Sequence, residues 1–288
     1  MRLRFKAFIT AGTIAAGLLI SQMTPSFEAA QAPRGQAPQA PAGQAAPAYR
    51  APRTADGKPN LNGIWQAMNE ANWDLEPHAA YQGSLLAEGA QFSVPPSIGV
   101  VEGGSIPYKP EALAKKKANF ANRAKLDPEV NCYMGGVPRS TYMPYPFQII
   151  QGTGTMMVAY EFAGAVRIIN MGKPTESPTD SWMGWSNGHW EGETLVLDVT
   201  GFNDQTWFDR AGDYHSDELH VVERFTPRSA DTLMYEATIE DPKTFTRPWK
   251  ISMPLYRRVE KNAQIMEYKC PEFAEEVIYG QLRKQTSK

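Results

Sequence analysis

From Thr155 onward the chain is written in short runs that alternate apolar and polar positions. "TMMVAYEF" and "AVRIINM" are strand-like and meet at Ala163-Gly164, a hairpin signal. "GHWEGETLVLDVT" turns at Glu191-Gly192, after which Leu195, Leu197 and Val199 alternate with Val196, Asp198 and Thr200. "ELHVVERFT", "TLMYEATIE", "WKISMPLYRR" and "AQIMEYKC" follow, joined by the short links "PRSAD" and "VEKN". Sequential strands with short links predict an antiparallel meander. Pro254 cannot donate to a ladder, so its strand is expected at an edge or a bulge. Glu223 and Arg224 point to opposite faces of one strand. One of them turns inward and needs a partner from Asp198, Glu236 or Arg167.

The first half lacks this rhythm. "NLNGIWQAM" reads as a strand, and residues 72–108 read as irregular, broken by Pro77, Pro95, Pro96 and Pro107. Pro110 opens a helix that ends before Asp127-Pro128, with Lys115, Lys116 and Lys117 on a solvated face. The fold class expected is mainly β. The meander forms a barrel or sandwich, preceded by an irregular and helical N-terminal insertion.

The N-terminus changes the picture of compartment. Arg2, Arg4 and Lys6 precede the short apolar run Ala7–Ile20, a secretory pattern too short for an ordinary membrane span. The expected organisation is a leader over 1–32, a Pro/Ala/Gln tether over 33–52, and one β-rich domain over 53–288. An uncleaved anchor is the rival reading. The expected location is periplasmic or secreted, with no membrane span after cleavage. The net charge of −2 gives no footprint for a nucleic-acid partner. Two cysteines in an exported chain, Cys132 and Cys270, are expected to form a disulfide; two buried thiols are the alternative.

The segments "ADGKPNLNGIWQ", "PEVNCYMGGVPRSTYMPYPFQIIQ", "SWMGWSNGHWEGETLVLDVTGFNDQTWFDRAGDYHSDELHVVERF" and "IEDPKTFTRPWKISMPLYRR" together resemble a large family of secreted bacterial proteins without an assigned biochemical function. The resemblance covers nearly the whole chain after the tether and implies a compartment, not an activity. Gly63-Ile64-Trp65, followed by a meander, also looks like the opening of a lipocalin-type barrel, in which the tryptophan closes the barrel base. The roughly 80 residues before the next strand depart from that layout.

Candidate chemistry gathers between Trp182 and His220. His215 stands in a loop between Asp213 and Asp217, and with Asp209 or Asp213 as its orienting carboxylate it could serve as an acid or base. An ordinary polar turn is the plain alternative. Trp185, Trp190 and Trp207, with His189, Asp204 and His220, are the candidate ligand-binding residues for a flat or apolar molecule; packing in a β-core is the alternative for the aromatics. His189, His215 and His220 match no metal-ligand spacing, so no metal is assigned. No cofactor is expected, a divalent metal being the lesser alternative. Ser186 in "GWSNG" mimics a nucleophile elbow but precedes a hairpin instead of a helix. The function expected is a small-molecule site at the mouth of the β-structure. A hydrolase- or isomerase-type enzyme using His215, and a structural or interaction role, are the alternatives. The oligomeric state is left open.

Overall fold

The computed structural model describes residues 49–83 and 93–268. The leader, the tether up to residue 48 and Cys270 lie outside the described residues.

Nine strands close into one barrel in sequence order. They are β1 (Gly63–Ala67), β2 (Phe147–Gln151), β3 (Thr155–Tyr160), β4 (Val166–Asn170), β5 (Trp185–Glu191), β6 (Thr194–Thr200), β7 (His220–Ser229), β8 (Thr232–Glu240) and β9 (Trp249–Arg257). A closed ring with an odd number of strands cannot be antiparallel throughout. Among the described strands the one parallel pair is β4 on β5, with Ile169 opposite Ser186. A parallel pair needs a crossover of a dozen or more residues, and residues 171–184 supply it. The meander is therefore mostly antiparallel, a barrel and not a sandwich.

Closure depends on β1, which pairs with β2 on one side and β9 on the other. This leaves no free edge for a tenth strand, and the strand expected in "AQIMEYKC" is absent from its described part, residues 263–268. Pro254 lies within β9, opposite Met234 of β8. On its other side the β1 ladder ends at Leu255, and the Val101 bridge begins only at Ile251. The proline therefore occupies a gap in the ladder where a missing N–H costs nothing.

The two ends differ. One end carries the tight β2–β3, β5–β6 and β7–β8 turns and is termed the hairpin end. Residues 49–62 lie against it. Ala51 is buried and its N–H reaches Glu193, so this piece of the expected tether packs onto the barrel. A residue as small as Ala51 suits a shallow seat under a barrel rim. At the other end, residues 69–83 and 93–146 and the β6–β7 loop fold together as a plug. The plug contains α1 (Pro110–Ala121), α2 (Arg123–Leu126) and α3 (Arg139–Tyr142). No helix among the described residues is long and apolar enough to cross a membrane.

Side chains fill the barrel. Leu195, Leu197, Val199, Val221, Phe225, Leu233, Tyr235, Ile239, Ile251 and Met253 are all buried in one core. At mid-height Arg167 faces inward and pairs with Glu223 at 2.6 Å, both essentially inaccessible. The guanidinium also donates to Tyr160 Oη at 3.1 Å and Ser186 Oγ at 2.9 Å, while Tyr235 donates to the other Glu223 oxygen at 2.8 Å. Of the three partners offered by sequence, Arg167 is the one that meets Glu223. Ser186 is thus an acceptor inside a strand, not a nucleophile on an elbow.

Candidate functional site

The plug is pinned by charge. Arg139 forks onto Asp127 at 2.8 and 3.0 Å and reaches Glu129 at 2.7 Å, while Arg210 binds the other Glu129 oxygen at 2.5 Å. Asn72 bridges Arg139 and Glu129. Two guanidinium groups face two carboxylates, so this network is balanced.

A second cluster beside it is not balanced. The β6–β7 loop folds back at the Trp207–Tyr214 bridge and presents Asp209 and Asp213, both wholly buried. Asp209 accepts the backbone N–H of Leu75 at 2.9 Å and of Asp213 at 3.1 Å. Asp213 Oδ1 accepts the Tyr108 hydroxyl at 2.8 Å. Asp74, half-buried, completes a trio whose carboxylate oxygens lie within 4.8 Å of one another. The cation present is Lys116 of α1, 3.3 Å from Asp213 Oδ2 and 3.0 Å from Glu76. Far from lying on a solvated face, Lys116 turns into the plug. Burial holds all three aspartates above the usual carboxylate range. For Asp209 the neighbouring Asp213 and Asp74 push in the same direction. Asp74 is pushed up to about 6. Sequence reading found Asp209 and Asp213 but missed Asp74, Lys116 and Tyr108, which arrive from an irregular segment and a helix about a hundred residues away.

His215 does not join Asp209 and Asp213. It is buried between the rings of Phe202 and Phe208, with centroids 6.0 and 5.3 Å away. Nδ1 lies 2.8 Å from the Ser216 carbonyl oxygen and so carries the proton; Nε2 lies 2.6 Å from Thr206 Oγ1 and accepts from it. That is the pattern of a neutral imidazole. Burial lowers its pKa, outweighing the opposing Ser216 carbonyl, Asp241 and Asp204, with Lys115 acting in the same direction as burial. The expected trio of His215 with Asp209 and Asp213 does not converge, and at His215 desolvation exceeds the pull of carboxylates that face elsewhere. A linkage effect follows. Above the ordinary histidine pKa neither state binds the proton. Below it the unfolded chain binds one and the fold does not, so stability falls with pH down to the lowered folded value. Urea denaturation between pH 7 and 5 is expected to show a contribution of up to about 1.4 kcal/mol per pH unit that is absent in His215→Gln. Equal slopes in the two proteins would mean the imidazole takes up its proton in the folded state.

The remaining candidates are scattered. Trp207 is buried against Ala112 and Tyr214. Trp185 donates to Thr175 Oγ1 at 3.1 Å on the surface. Asp204 accepts from the neighbouring Gln205 side chain. His220, on the outer face of β7, lies between Asp198 at 3.1 Å and Glu240 at 3.5 Å. The structure brings only His189 and Trp190 to a common place. They line a cleft of about 300 Å³ at the hairpin end with Met156, Met171, Gln151, Lys58 and Asp56. The Gly152–Gly154 turn forms one wall. Gly188 is needed beneath it, because a Cβ there would stand 2.5 Å from the Met171 sulfur. The plugged end carries no such convergence of these aromatics, since Phe208, Phe245 and Trp249 pack edge to face across it.

Comparisons with family models, with curated proteins and with solved structures find no match.

Proposed function

We propose that the chain is an exported small-molecule-binding protein, related to the secreted bacterial family it resembles, and that its ligand sits in the hairpin-end cleft. The observation that carries this is the composition of that cleft: two thioethers and an indole beside Lys58, Asp56 and His189, in a volume at the lower end of the ligand-site range. Methionine and tryptophan adapt to a flat apolar body, and the charged rim orients one polar or anionic group. His189 is exposed and meets Glu191 at 3.2 Å, so its ring is free to turn toward a ligand.

The test uses 1-anilinonaphthalene-8-sulfonate, an aromatic anion of suitable chemistry, with the full chain. Trp190→Ala is expected to weaken saturable binding by about tenfold, while Trp185→Ala leaves it unchanged. Equal affinity in the Trp190→Ala protein would remove the cleft from the argument. The export reading includes a Cys132–Cys270 disulfide, because two cysteines in an oxidising compartment pair most simply with each other. An intact mass of exported protein that retained Arg2, or two alkylatable thiols, would overturn that part.

A further inference from the structure

We propose that a second cavity at the hairpin end, beside the Arg257 side chain, binds a short aliphatic monocarboxylate. The cavity holds about 310 Å³. It shares no lining residue with the cleft of His189 and Trp190, so it does not rest on that reading.

The walls come first. Leu61, Trp65, Pro227 and Leu233 line the cavity and are themselves buried, so its inner wall is apolar. An apolar wall with a few polar groups at one side is the make-up of a small-molecule site. The Trp65 indole is 1% exposed and carries the Arg257 guanidinium at 4.2 Å, so it offers no free face to an aromatic ring. The surface that remains is leucine and proline, which suits an alkyl chain.

A positioned cation comes second. Arg257 lines the same cavity, and its guanidinium is held in place: Nε donates to the Ala230 carbonyl at 2.9 Å and Nη1 to the Asn62 carbonyl at 2.7 Å. Both N–H groups of Nη2 and the second of Nη1 have no acceptor among the described residues. A guanidinium fixed in this way presents a fork that fits a carboxylate. Burial lowers the pKa of Arg257, with Asp231 and Tyr49 opposing, so this cation is short of negative charge. Tyr49 lines the cavity too, and its hydroxyl, without a hydrogen-bond partner among the described residues, is a second donor.

Charge sets the ligand class. Asp231 stands 3.5 Å from Arg257 Nε, with its side chain 60% exposed, and leaves the Nη2 edge open. Among the described lining residues Arg257 is the one cation. A phosphate dianion would meet that single cation with Asp231 repelling it, whereas a monoanion is matched.

The experiment is a titration of full-length protein with hexanoate at pH 7, read by calorimetry and by the Arg257 Nε–H and Trp65 indole N–H resonances. Wild type is expected to bind one hexanoate saturably and to shift both resonances. Hexanamide, which lacks the charge, should bind at least about tenfold more weakly, and hexyl phosphate no more tightly than hexanoate. Arg257→Lys keeps the charge without the fork and should lose at least about tenfold in affinity. Asp231→Asn removes the repelling carboxylate and should bind about threefold more tightly, a gain that a purely structural Arg257 would not produce. Asp231 is exposed, so this variant and the hexanamide comparison decide if Arg257→Lys does not fold. The site is refuted if neither wild type nor Asp231→Asn shows saturable binding, if hexanamide or hexyl phosphate binds more tightly than hexanoate, or if Asp231→Asn binds as wild type does. A shift confined to the Trp190 indole would place hexanoate in the other cleft and overturn the proposal equally.

Discussion

Replacing Arg167 by Met is expected to destabilise the fold by about 3–5 kcal/mol. The cause is what remains. Glu223 would keep the Tyr235 hydroxyl but lose the counter-charge of Arg167, and Ser186 Oγ and Tyr160 Oη would lose their donor. A carboxylate in that position either stays charged without a partner or takes a proton at a cost in free energy. The double change Arg167→Met with Glu223→Leu removes both charges and should recover most of the loss, because paired ions and packed apolar groups of similar volume differ little. Urea denaturation of wild type, both singles and the double measures the coupling. For a body of this size the single variant should also melt about 10 °C lower. A single variant within about 1 kcal/mol of wild type would mean that water reaches Glu223 and that the barrel interior is wetter than its packing indicates.

That an inward pair exists was legible in the chain, because period two forces Glu223 and Arg224 to opposite faces and whichever faces the core must find a counter-charge. The strands from Thr155 to Arg257 were legible for the same reason, as were the Ala163-Gly164 and Glu191-Gly192 turns, where Ala163, Gly164 and Gly192 take positive φ. Closure was not legible. It depends on β1 reaching β2 across about 80 residues and on the parity of the ring, neither of which leaves a local signal. The failed tenth strand and the tolerated Pro254 both follow from that closure. For the site, nearness along the chain misled. His215 and Asp213 are two residues apart, yet one turns between Phe202 and Phe208 and the other toward Tyr108 and Lys116. A loop of this length normally lies on the surface; here the irregular N-terminal half covers it, and that half has no periodicity from which its packing could be read. Trp190 and Met171 meet only because the parallel crossover brings the end of β4 beside the end of β5.

Trp65→Ala is expected to cost about 3–5 kcal/mol, the range for truncating a large buried aromatic ring. The Gly63-Ile64-Trp65 motif carries more than one contact at the hairpin end, which is why the cost should lie high in that range. The indole is 1% exposed and donates to the Leu61 carbonyl at 3.0 Å, tying residues 49–62 to the barrel. Its face supports the Arg257 guanidinium at 4.2 Å, and Arg257 in turn donates to the carbonyls of Asn62 at 2.7 Å and Ala230 at 2.9 Å. The start of β1, the end of β9 and the β7–β8 turn therefore meet through one ring. Gly63 belongs to the same device. Its φ is +147°, and a Cβ at this position would overlap Arg257 Nη1, so a side chain here strains the backbone and displaces the guanidinium. Gly63→Ala should force Arg257 off the indole and cost about 1–3 kcal/mol, with part of that loss already present in Arg257→Ala. The informative measurement is hydrogen exchange alongside denaturation. Trp65→Ala should raise exchange at Gly63–Ala67 and at Arg257 far more than in β6–β8, because β1 is the short strand that closes the ring. Uniform loss of protection across all nine strands would mean that the barrel opens only as a whole and that the ring is not its clasp.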